Sequence, residues 1–506
     1  MTRNAQEIEL RLATTAAALR RLPRCAALTS LDVSTPATHR LLSVYWDTPD
    51  LRLHASGLAL RLRRTDNGAW VQTLKAQTRV PHTRDEFEGP VAGERPDLRL
   101  AERLGWRDAN PLEDAVLQPM FRTRVARTLR SVRFGDGTLA EIAIDRGDIA
   151  IGDEPSTRAP IREIELELVE GSACRLYELA YRLVRELPPT RLSFPSKAER
   201  GYELLAHASP APRRARTIDV AAKSPPALVA FRASAEGLLH VEGNAECARA
   251  GRDPEGVHQM RVGIRRLRVA GAIARAFPER LDAELKWLAR LLGETRDLDV
   301  FATQTWPDVR KALGDRAAET TDFEAAVAQR RDASQRNLRR ALDGRRFQLL
   351  MLAAGWAVAT QREELAQPSR RHATKRSPRR LLARRAKRTL DDGRAIDRMT
   401  ERERHRLRID LRKLRYLAEF FAGLYPQRRA RRYLRRIAAV QAELGALNDL
   451  AVTGSIVRSI ASAGPAEQRR LVGGLWRRHA SAQKPMLERR LAASWKKLAA
   501  ATPFWD

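Results

Sequence analysis

Apolar and polar residues alternate in short runs through the first part of the chain, and the spacing then becomes helical. Runs such as residues 58–63 (LALRLR) and 161–169 (IREIELELV) place every second side chain on one face, which predicts β-strands. Two stretches of helical spacing, residues 14–22 and 172–186, interrupt these runs. The pattern predicts an antiparallel sheet or barrel with a few helices for residues 1–206.

Helical spacing begins after Pro226 and continues almost to the last residue. Before it lies a stretch rich in Pro, Ala and Arg, which has the composition of a linker. A second basic stretch with helix-breaking residues, 367–378 (QPSRRHATKRSP), divides the helical part in two. The predicted organisation is a domain at 1–206, a linker at 207–226 and a helical domain at 227–506, in blocks at about 227–366 and 379–506.

The two helical blocks contain the same motif. It is HQMRVGIRRLR at residues 258–268 and HRLRIDLRKLR at residues 405–415. One His and three Arg recur at steps of three, seven and ten residues, which share one face of a helix. A second pair of motifs follows, LGETRDL at 292–298 and LGALNDL at 444–450. The similar offsets of the two motif pairs indicate an internal duplication.

The net charge narrows the choice of partners. The 506 residues include 93 Lys and Arg against 62 Asp and Glu, a formal charge of +31. Between residues 361 and 440 the sequence has 26 basic and 9 acidic residues. Such an excess predicts a polyanionic partner, which is nucleic acid, anionic lipid or a phosphate polymer. The alternative interpretation is an arginine-rich but merely solvated set of helix faces.

Cysteine usage and hydropathy indicate the compartment. Cys25, Cys174 and Cys247 lie far apart, which excludes a disulfide scaffold and a cysteine-built metal site and fits a reducing cytoplasm. The longest uncharged apolar stretch, residues 347–360, is too short to span a bilayer. The first residues, MTRNAQEIELRL, contain acids where a signal peptide needs an apolar run. We expect a cytoplasmic protein with no membrane partner.

Charged side chains share one face of several predicted strands. Glu7, Glu9 and Arg11 stand at alternate positions, and so do Glu163 and Glu165. In an ordinary half-buried sheet such a face lies in water, whereas in a closed barrel it lines the interior. Carboxylates suit Mg²⁺ or Mn²⁺, and Arg and Lys suit phosphate oxygens. In a barrel the pattern therefore predicts a site for a metal-bridged polyphosphate chain.

The ordered motifs of the first part resemble the CYTH, or triphosphate tunnel metalloenzyme, superfamily. Glu7-Ile-Glu9-Leu-Arg11 is similar to the ExExK signature of that family, with Arg11 in place of its Lys. The resemblance implies an eight-stranded tunnel that hydrolyses a triphosphate with a divalent metal. It continues in order through Arg61-Leu-Arg63, Lys75, Arg84-Asp-Glu86, Arg124 with Arg127, Glu141 to Asp145, Glu163-Ile-Glu165 and Ser196-Lys197-Ala-Glu-Arg200.

The same resemblance implies a role for each matching residue. The expected catalytic residues are Glu7, Glu9 and Arg11. The expected ligands of Mg²⁺ or Mn²⁺ are Glu7, Glu9, Glu141, Asp145, Glu163 and Glu165. The expected phosphate-binding residues are Arg61, Arg63, Lys75, Arg84, Arg124, Arg127 and Lys197. Because arginine stays protonated, we hypothesise that Arg11 orients phosphate or water and does not accept a proton.

The repeated helical motif resembles the CHAD domain, which often follows a CYTH domain. The resemblance covers about 227–500 and implies duplicated four-helix bundles with a basic groove that binds inorganic polyphosphate. The structural alternative is that Asp297 and Asp449 simply pair with the arginines. The expected polyphosphate-binding residues are His258, Arg261, Arg265, Arg266, Arg268, His405, Arg408, Arg412, Lys413 and Arg415.

Together the two resemblances imply a metal-dependent inorganic triphosphatase that cleaves tripolyphosphate to pyrophosphate and phosphate. Its helical domain would bind long-chain polyphosphate, and granules of that polymer are one expected location. Two alternatives stay open: a non-catalytic polyphosphate-binding scaffold, and a tunnel enzyme for thiamine triphosphate, a nucleotide or cyclic AMP formation. Nucleic acid is expected to bind only non-specifically. The sequence does not predict the oligomeric state.

Overall fold

The computed structural model describes residues 3–103, 116–152, 154–207, 209–367 and 377–506. The chain forms two compact units. The first contains Met1–Ala211 and Ala341–Glu363, and the second contains Pro212–Arg340 and Glu364–Asp506. Residues 209–225 contain neither helix nor strand, as their linker composition predicts. Most of the second breaker-rich stretch lies outside the described residues.

Eight long antiparallel strands close into a barrel in the first unit. With two short strands, β2 and β10, the described part of this unit has ten strands. They are β1 (Arg3–Ala13), β2 (Asp32–Val33), β3 (Ala37–Asp47), β4 (Leu58–Arg64), β5 (Trp70–Gln77), β6 (Thr83–Val91), β7 (Gln118–Arg133), β8 (Leu139–Ala150), β9 (Arg158–Glu170) and β10 (Arg191–Leu192). The order around the barrel is β1, β6, β5, β4, β3, β7, β8 and β9, and β9 pairs back with β1. The short β2 and β10 pair with β7 and β1. The predicted eight-stranded barrel is confirmed.

Six helices accompany the barrel. They are α1 (Ala16–Arg21), α2 (Ala26–Thr29), α3 (Arg52–Ala55), α4 (Leu98–Arg103), α5 (Ala173–Glu186) and α6 (Lys197–Leu205). Helix α6 begins with a capping box, in which Ser196 accepts from the amide of Glu199 and the Glu199 carboxylate accepts from the amide of Ser196. This cap fixes the backbone position of Lys197, the first residue of the helix.

Period-two alternation sorts the strand side chains between two sides of the wall. Leu10, Leu12, Ile164 and Leu166 are fully buried, and helix α5 packs against the two strands that carry them. Their charged neighbours face the barrel interior. Across β1 and β9, Arg11 lies opposite Glu165 in the register. The barrel therefore has an apolar core outside its wall and charges inside it.

The remaining helices follow the linker. They are α7 (Pro226–Glu242), α8 (Ala245–Ala250), α9 (Pro254–Ala274), α10 (Glu279–Val300), α11 (Trp306–Arg310), α12 (Thr321–Asp343), α13 (Arg345–Ala366), α14 (Pro378–Asp392), α15 (Glu401–Phe421), α16 (Gln427–Ala461) and α17 (Ala466–Ala499). This confirms a helical region of many helices, whereas the grouping into two four-helix bundles stays a prediction. No helix within the described ranges is both long and apolar enough to cross a membrane.

The duplicated motifs occupy equivalent helices. The His and Arg motif lies on α9 in the first repeat and on α15 in the second, and the Leu-Gly motif lies on α10 and α16. Leu267 on α9 and Leu414 on α15 hold the same motif position, and both are fully buried. Each motif helix therefore packs on its apolar face, and its basic face is left for other contacts.

Helix α13 packs against the barrel, although it follows the first helical repeat in sequence. The Oε1 atom of Gln348 accepts a hydrogen bond of 3.0 Å from the amide of Leu192. Glu363 accepts one of 2.8 Å from the hydroxyl of Ser172. Gly355 leaves room for Tyr177, because a Cβ atom there would lie 2.2 Å from a carbon of that ring. The barrel unit is completed by Ala341–Glu363, which is separated in sequence from the rest of the unit by the 129 residues of Pro212–Arg340.

Candidate functional site

The barrel encloses a cavity of about 330 Å³ lined by charges of both signs. Most of the predicted tunnel residues meet there. Those that line the cavity are Glu7, Glu9, Arg11, Arg61, Arg63, Lys75, Arg84, Arg127, Glu141, Asp145, Glu165 and Lys197. Glu163 is 1% exposed and touches this group from within the wall. The exception is Arg124, which is exposed on β7 while Val125 and Arg127 face inward, so the structure does not bring it to the cavity.

Three carboxylates at one side of the cavity form a site that could hold a metal ion. One oxygen from each of Asp145, Glu163 and Glu165 lies within 4.8 Å of the others. Asp145 on β8 is the register partner of Glu163 on β9, which explains the juxtaposition. Glu141 lines the cavity four residues before Asp145, on the same face of β8, and it does not belong to this group among the described residues.

Cations already neutralise the three carboxylates. The Nζ atom of Lys197 lies 2.7 Å from Asp145, 2.5 Å from Glu163 and 2.6 Å from Glu165. Arg127 donates to Asp145 over 2.8 Å and also pairs with Glu165. Burial opposes the charge of Glu165, but Lys197 and Arg127 hold its pKa well below its ordinary range. Lys197 was expected to bind phosphate, and here it contacts the expected metal ligands.

Glu9 carries the strongest sign of an absent cation. Burial, reinforced by the charge of Glu165, raises the pKa of Glu9 to about 8. Its Oε1 atom is buried and has no hydrogen-bond partner among the described residues. Together with the three-carboxylate group, Glu9 forms a set of hard oxygen donors, which is the chemistry that Mg²⁺ and Mn²⁺ select. The residues present therefore fit a divalent metal, whose identity they do not fix.

Glu7 belongs to a different network from the three carboxylates. Lys75 donates to both of its carboxylate oxygens, over 2.6 and 2.7 Å, and lies 3.3 Å from Glu86. Burial opposes the charge of Glu7, yet Lys75 and Arg84 keep its pKa below the ordinary value. Sequence reasoning named Glu86 within the motif Arg84-Asp-Glu86 but gave it no role, although it stands two positions after Arg84 on the same face of β6.

One arginine of the cavity lacks a carboxylate partner among the described residues, whereas Arg61 lies 3.9 Å from Glu88 and Arg84 lies 3.8 Å from Glu199. Arg63 makes no ion pair with any carboxylate in the described ranges, and its buried Nε atom has no partner. Burial and the neighbouring charges of Arg61 and Arg127 lower the pKa of Arg63 to about 10. Burial and Arg11 likewise lower the pKa of Arg84. An anion in the cavity would relieve this repulsion.

A second cationic cluster lies in the helical unit and joins the two repeats. Burial and the charges of Arg265 and Arg408 lower the pKa of Arg412 to about 9. Arg265, Arg408 and Arg412 make no ion pair with the described carboxylates, whereas Arg261 lies 3.2 Å from Asp297. We call Arg261, Arg265, Arg408 and Arg412 the arginine cluster. Sequence reasoning did not select Tyr416, four residues after Arg412, which raises the pKa of Arg265 against the larger lowering by burial.

Five of the six other predicted stripe residues already have partners. Arg266 pairs with Glu419 at 2.6 Å and lies over the rings of Tyr416 and Phe420. The remaining contacts are Arg268 with Asp282 at 2.7 Å, Arg415 with Glu419 at 2.7 Å, Lys413 with Asp410 at 3.4 Å and His405 with Asn448 at 2.9 Å. Burial and the nearby Arg296 lower the pKa of His258, with Glu255 opposing the shift. The structure thus divides the stripe into the arginine cluster, in which three of the four members have no carboxylate partner among the described residues, and a remainder that is mostly paired.

The fold defines a two-domain class of protein, in which an eight-stranded barrel with a charged interior is followed by a region of helical repeats. Residues 5–202 match the CYTH domain family, and residues 232–458 match the CHAD domain family. The chain belongs to the proteins that join a CYTH domain to a CHAD domain.

Solved structures resemble each half. The CHAD domain from the plant Ricinus communis is 30% identical, over 56% of this chain and 96% of that one, with a TM-score of 0.48. A putative adenylyl cyclase from Hippeastrum, described as having a dominant triphosphatase activity, is 22% identical over 38% and 93%, with a TM-score of 0.26. A putative adenylate cyclase from Bacillus halodurans is 13% identical over 38% and 96%, with a TM-score of 0.26.

Proposed function

We propose that the barrel is a metal-dependent inorganic triphosphatase, which hydrolyses tripolyphosphate to pyrophosphate and phosphate. The observation that carries this proposal is that one cavity contains both a carboxylate oxygen and a guanidinium group that lack partners among the described residues. Within the part of the chain that the structure describes, the buried Oε1 atom of Glu9 has no hydrogen-bond partner and Arg63 has no carboxylate partner. A divalent cation and a phosphate chain would satisfy both at once.

The residues of the cavity divide the work of phosphoanhydride hydrolysis. Asp145, Glu163 and Glu165, with Glu9, would hold Mg²⁺ or Mn²⁺. The ion would neutralise phosphate charge and promote attack by water. Arg61 and Arg63 would bind and orient the phosphate oxygens of the chain. Because many charged groups of the lining can bind phosphate oxygens or a metal, these contacts favour a small inorganic substrate.

The aromatic residues of the lining support the choice of an inorganic substrate. Tyr45 stacks on Phe121 with ring centroids 4.7 Å apart, and it is 5% exposed. Tyr202 stacks on His54 at 4.1 Å and donates to Asp47. These rings are engaged with one another, so they do not offer a face on which a nucleobase or a thiazolium could stack.

Phosphate release tests the tunnel. Tripolyphosphate, ATP and thiamine triphosphate are compared with Mg²⁺ or Mn²⁺, for wild type and for the double variant Glu163→Gln/Glu165→Gln. The control is Glu170→Gln, which changes an exposed carboxylate on the same strand. Fast metal-dependent release from tripolyphosphate that only the double variant loses would support the proposal. Preference for ATP or thiamine triphosphate would replace the substrate.

A non-catalytic scaffold is the second candidate. Its support is Arg11, which stands where the family signature has Lys and cannot accept a proton. Absence of release from all three triphosphates would favour this candidate.

We further propose that the helical unit binds long-chain inorganic polyphosphate through the arginine cluster. Crowded guanidinium groups without carboxylate partners gain most from a ligand that brings many phosphates at once. Such binding would retain the enzyme in the cytoplasm on polyphosphate granules. Duplex DNA should bind weakly, and polyphosphate should displace it at low concentration. Efficient competition by DNA would contradict the choice of ligand.

A further inference from the structure

The ammonium group of Lys197 lies among the three carboxylates that could hold a metal. Its contacts with Asp145, Glu163 and Glu165 are 2.5–2.7 Å long, and the side chain is 11% exposed. Only the contact with Glu165 has the geometry of a hydrogen bond, and Oε1 of Glu163 has no hydrogen-bonded partner among the described residues. The ammonium thus balances part of the charge of the three carboxylates and leaves one of their oxygen atoms without a hydrogen-bond partner among the described residues.

A divalent ion and this ammonium group cannot share the site. Mg²⁺ binds carboxylate oxygens at about 2.1 Å. An ion at that distance from the same three oxygens would overlap with Nζ of Lys197 and repel its charge. One of the two cations must therefore leave when the other binds.

Lys197 is built to move in this way. The capping box of Ser196 and Glu199 fixes its backbone at the start of α6, while the side chain keeps four rotatable bonds. Its side chain also lines the cavity in which Arg61 and Arg63 lie. Rotation away from the carboxylates therefore keeps the ammonium within the cavity, where a phosphate chain would receive it.

We infer that Lys197 is an internal counter-ion, which occupies the carboxylate group in the metal-free protein and is exchanged for the divalent ion. The inference rests on the proposed metal-dependent function. It reconciles the expected phosphate role of Lys197 with its observed contacts, because the two belong to successive states. Metal and triphosphate then favour each other's binding, since the metal releases the ammonium and the triphosphate accepts it.

Direct measurement of Mn²⁺ binding to the full chain, without any phosphate, tests the exchange. Lys197→Met removes the competing charge at similar volume and should bind Mn²⁺ at least about ten-fold more tightly than wild type. Lys197→Arg keeps the charge and should stay within about three-fold of wild type. Arg63→Met is the matched control, because it removes one cation from the same cavity without touching the three carboxylates. It should also change the affinity by less than about three-fold.

Equal gains in Lys197→Met and Arg63→Met would overturn the inference, because they would reflect only the general charge of the cavity. A gain below three-fold in Lys197→Met, or Mn²⁺ binding by none of the proteins, would overturn it too. If a variant folds poorly, thermal unfolding with and without Mn²⁺ tests the inference instead. Mn²⁺ should raise the melting temperature of Lys197→Met more than that of wild type, and failure of Mn²⁺ to restore folding would contradict the exchange.

Phosphate release from tripolyphosphate separates this inference from the proposed function. Wild type that shows the expected Mn²⁺ pattern but releases no phosphate would keep the exchange and reject the triphosphatase. Wild type that releases phosphate, with Mn²⁺ affinity unchanged in Lys197→Met, would keep the triphosphatase and reject the exchange.

Discussion

Arg11 donates a hydrogen bond from Nη2 to the backbone carbonyl of Phe194, over 3.1 Å. The bond ties a side chain of β1 to the segment that leads into α6. Burial opposes the charge of Arg11, but Glu9 and the other carboxylates nearby raise its pKa. A guanidinium that is anchored and firmly protonated orients its neighbours and takes no proton from water.

Substitution of Arg11→Lys tests that conclusion. Lysine keeps the charge but loses the fork geometry, so we expect kcat for tripolyphosphate to change by less than about ten-fold. The measurement is steady-state phosphate release at pH 7 and pH 9. An increase of several orders of magnitude that grows with pH would show that the tunnel lacks a proton acceptor at this position.

Loss of two members of the arginine cluster should weaken polyphosphate binding. Arg265→Ala/Arg412→Ala removes two unpaired guanidinium groups, and we expect the Kd for long-chain polyphosphate to rise about 10- to 100-fold. Fluorescence anisotropy with labelled polymer at two salt concentrations measures the change. The control Lys413→Ala/Arg415→Ala removes the same charge from residues that have carboxylate partners, and should cost less than about three-fold. A parallel loss of tripolyphosphate hydrolysis would contradict a division of labour between the domains.

Crowding in the arginine cluster should make Arg412 destabilising when no polyanion is bound. Burial and its arginine neighbours place the pKa of Arg412 at about 9, below its value in the unfolded chain. Between those two values the unfolded chain binds more protons, so stability rises with pH there, and below pH 9 the penalty is present in full. Arg412→Gln should therefore raise the melting temperature at pH 7 by about 2–4 °C.

The pH profile of that variant provides the check. The advantage of Arg412→Gln over wild type should shrink as the pH rises from 9 towards 11, and saturating polyphosphate at pH 7 should reverse it. Lys413→Gln, on the same helix but paired with Asp410, should show neither effect. A gain in melting temperature that is the same at every pH would mean that charge crowding is not its cause.

Contact between α13 and the barrel should control the stability of the tunnel. Gly355→Ala places a Cβ atom against Tyr177, and we expect the free energy of unfolding to fall by about 1–3 kcal/mol. Gly474→Ala is the matched control, because a Cβ atom there meets nothing within 4 Å and should stabilise the helix by about 0.5–1 kcal/mol. Urea unfolding measures both. Equal stabilisation by the two substitutions would mean that α13 does not pack tightly on the barrel.

Sequence periodicity predicted the strands and the shared face of most lining residues, and the family resemblance supplied the closed eight-stranded barrel. Charged residues two positions apart must share a face of a strand, which predicted the placement of Glu7, Glu9, Glu163 and Glu165. The same rule argues against Arg124, which lies three positions before Arg127. Two residues three positions apart point to opposite faces of a regular strand, so Arg124 and Arg127 cannot both face inward. The resemblance to a family motif had outweighed that signal.

Partners and long-range packing were beyond the reach of sequence spacing. By their spacing on α9, Arg265 and Arg268 are equivalent. Asp282 pairs with Arg268 and not with Arg265, and sequence spacing on α9 could not predict this because Asp282 lies on α10. The position of Lys197 also depends on three residues from two distant strands. From sequence alone, helix α13 is predicted to be one more helix of the helical block, because apolar spacing does not indicate which surface a helix covers.

The path of the chain imposes an order on its synthesis. It leaves the first unit at Ala211 and supplies the last piece of that unit only at Ala341–Glu363. At about 5–20 residues per second, a ribosome needs roughly 10–30 s to make the intervening segment. Throughout that interval the nascent barrel exposes the surface around Tyr177 that α13 later covers. A gene that ends after the tunnel sequence would encode a barrel in which that surface stays exposed. The tunnel domain therefore cannot be transferred without the helical segment that completes it.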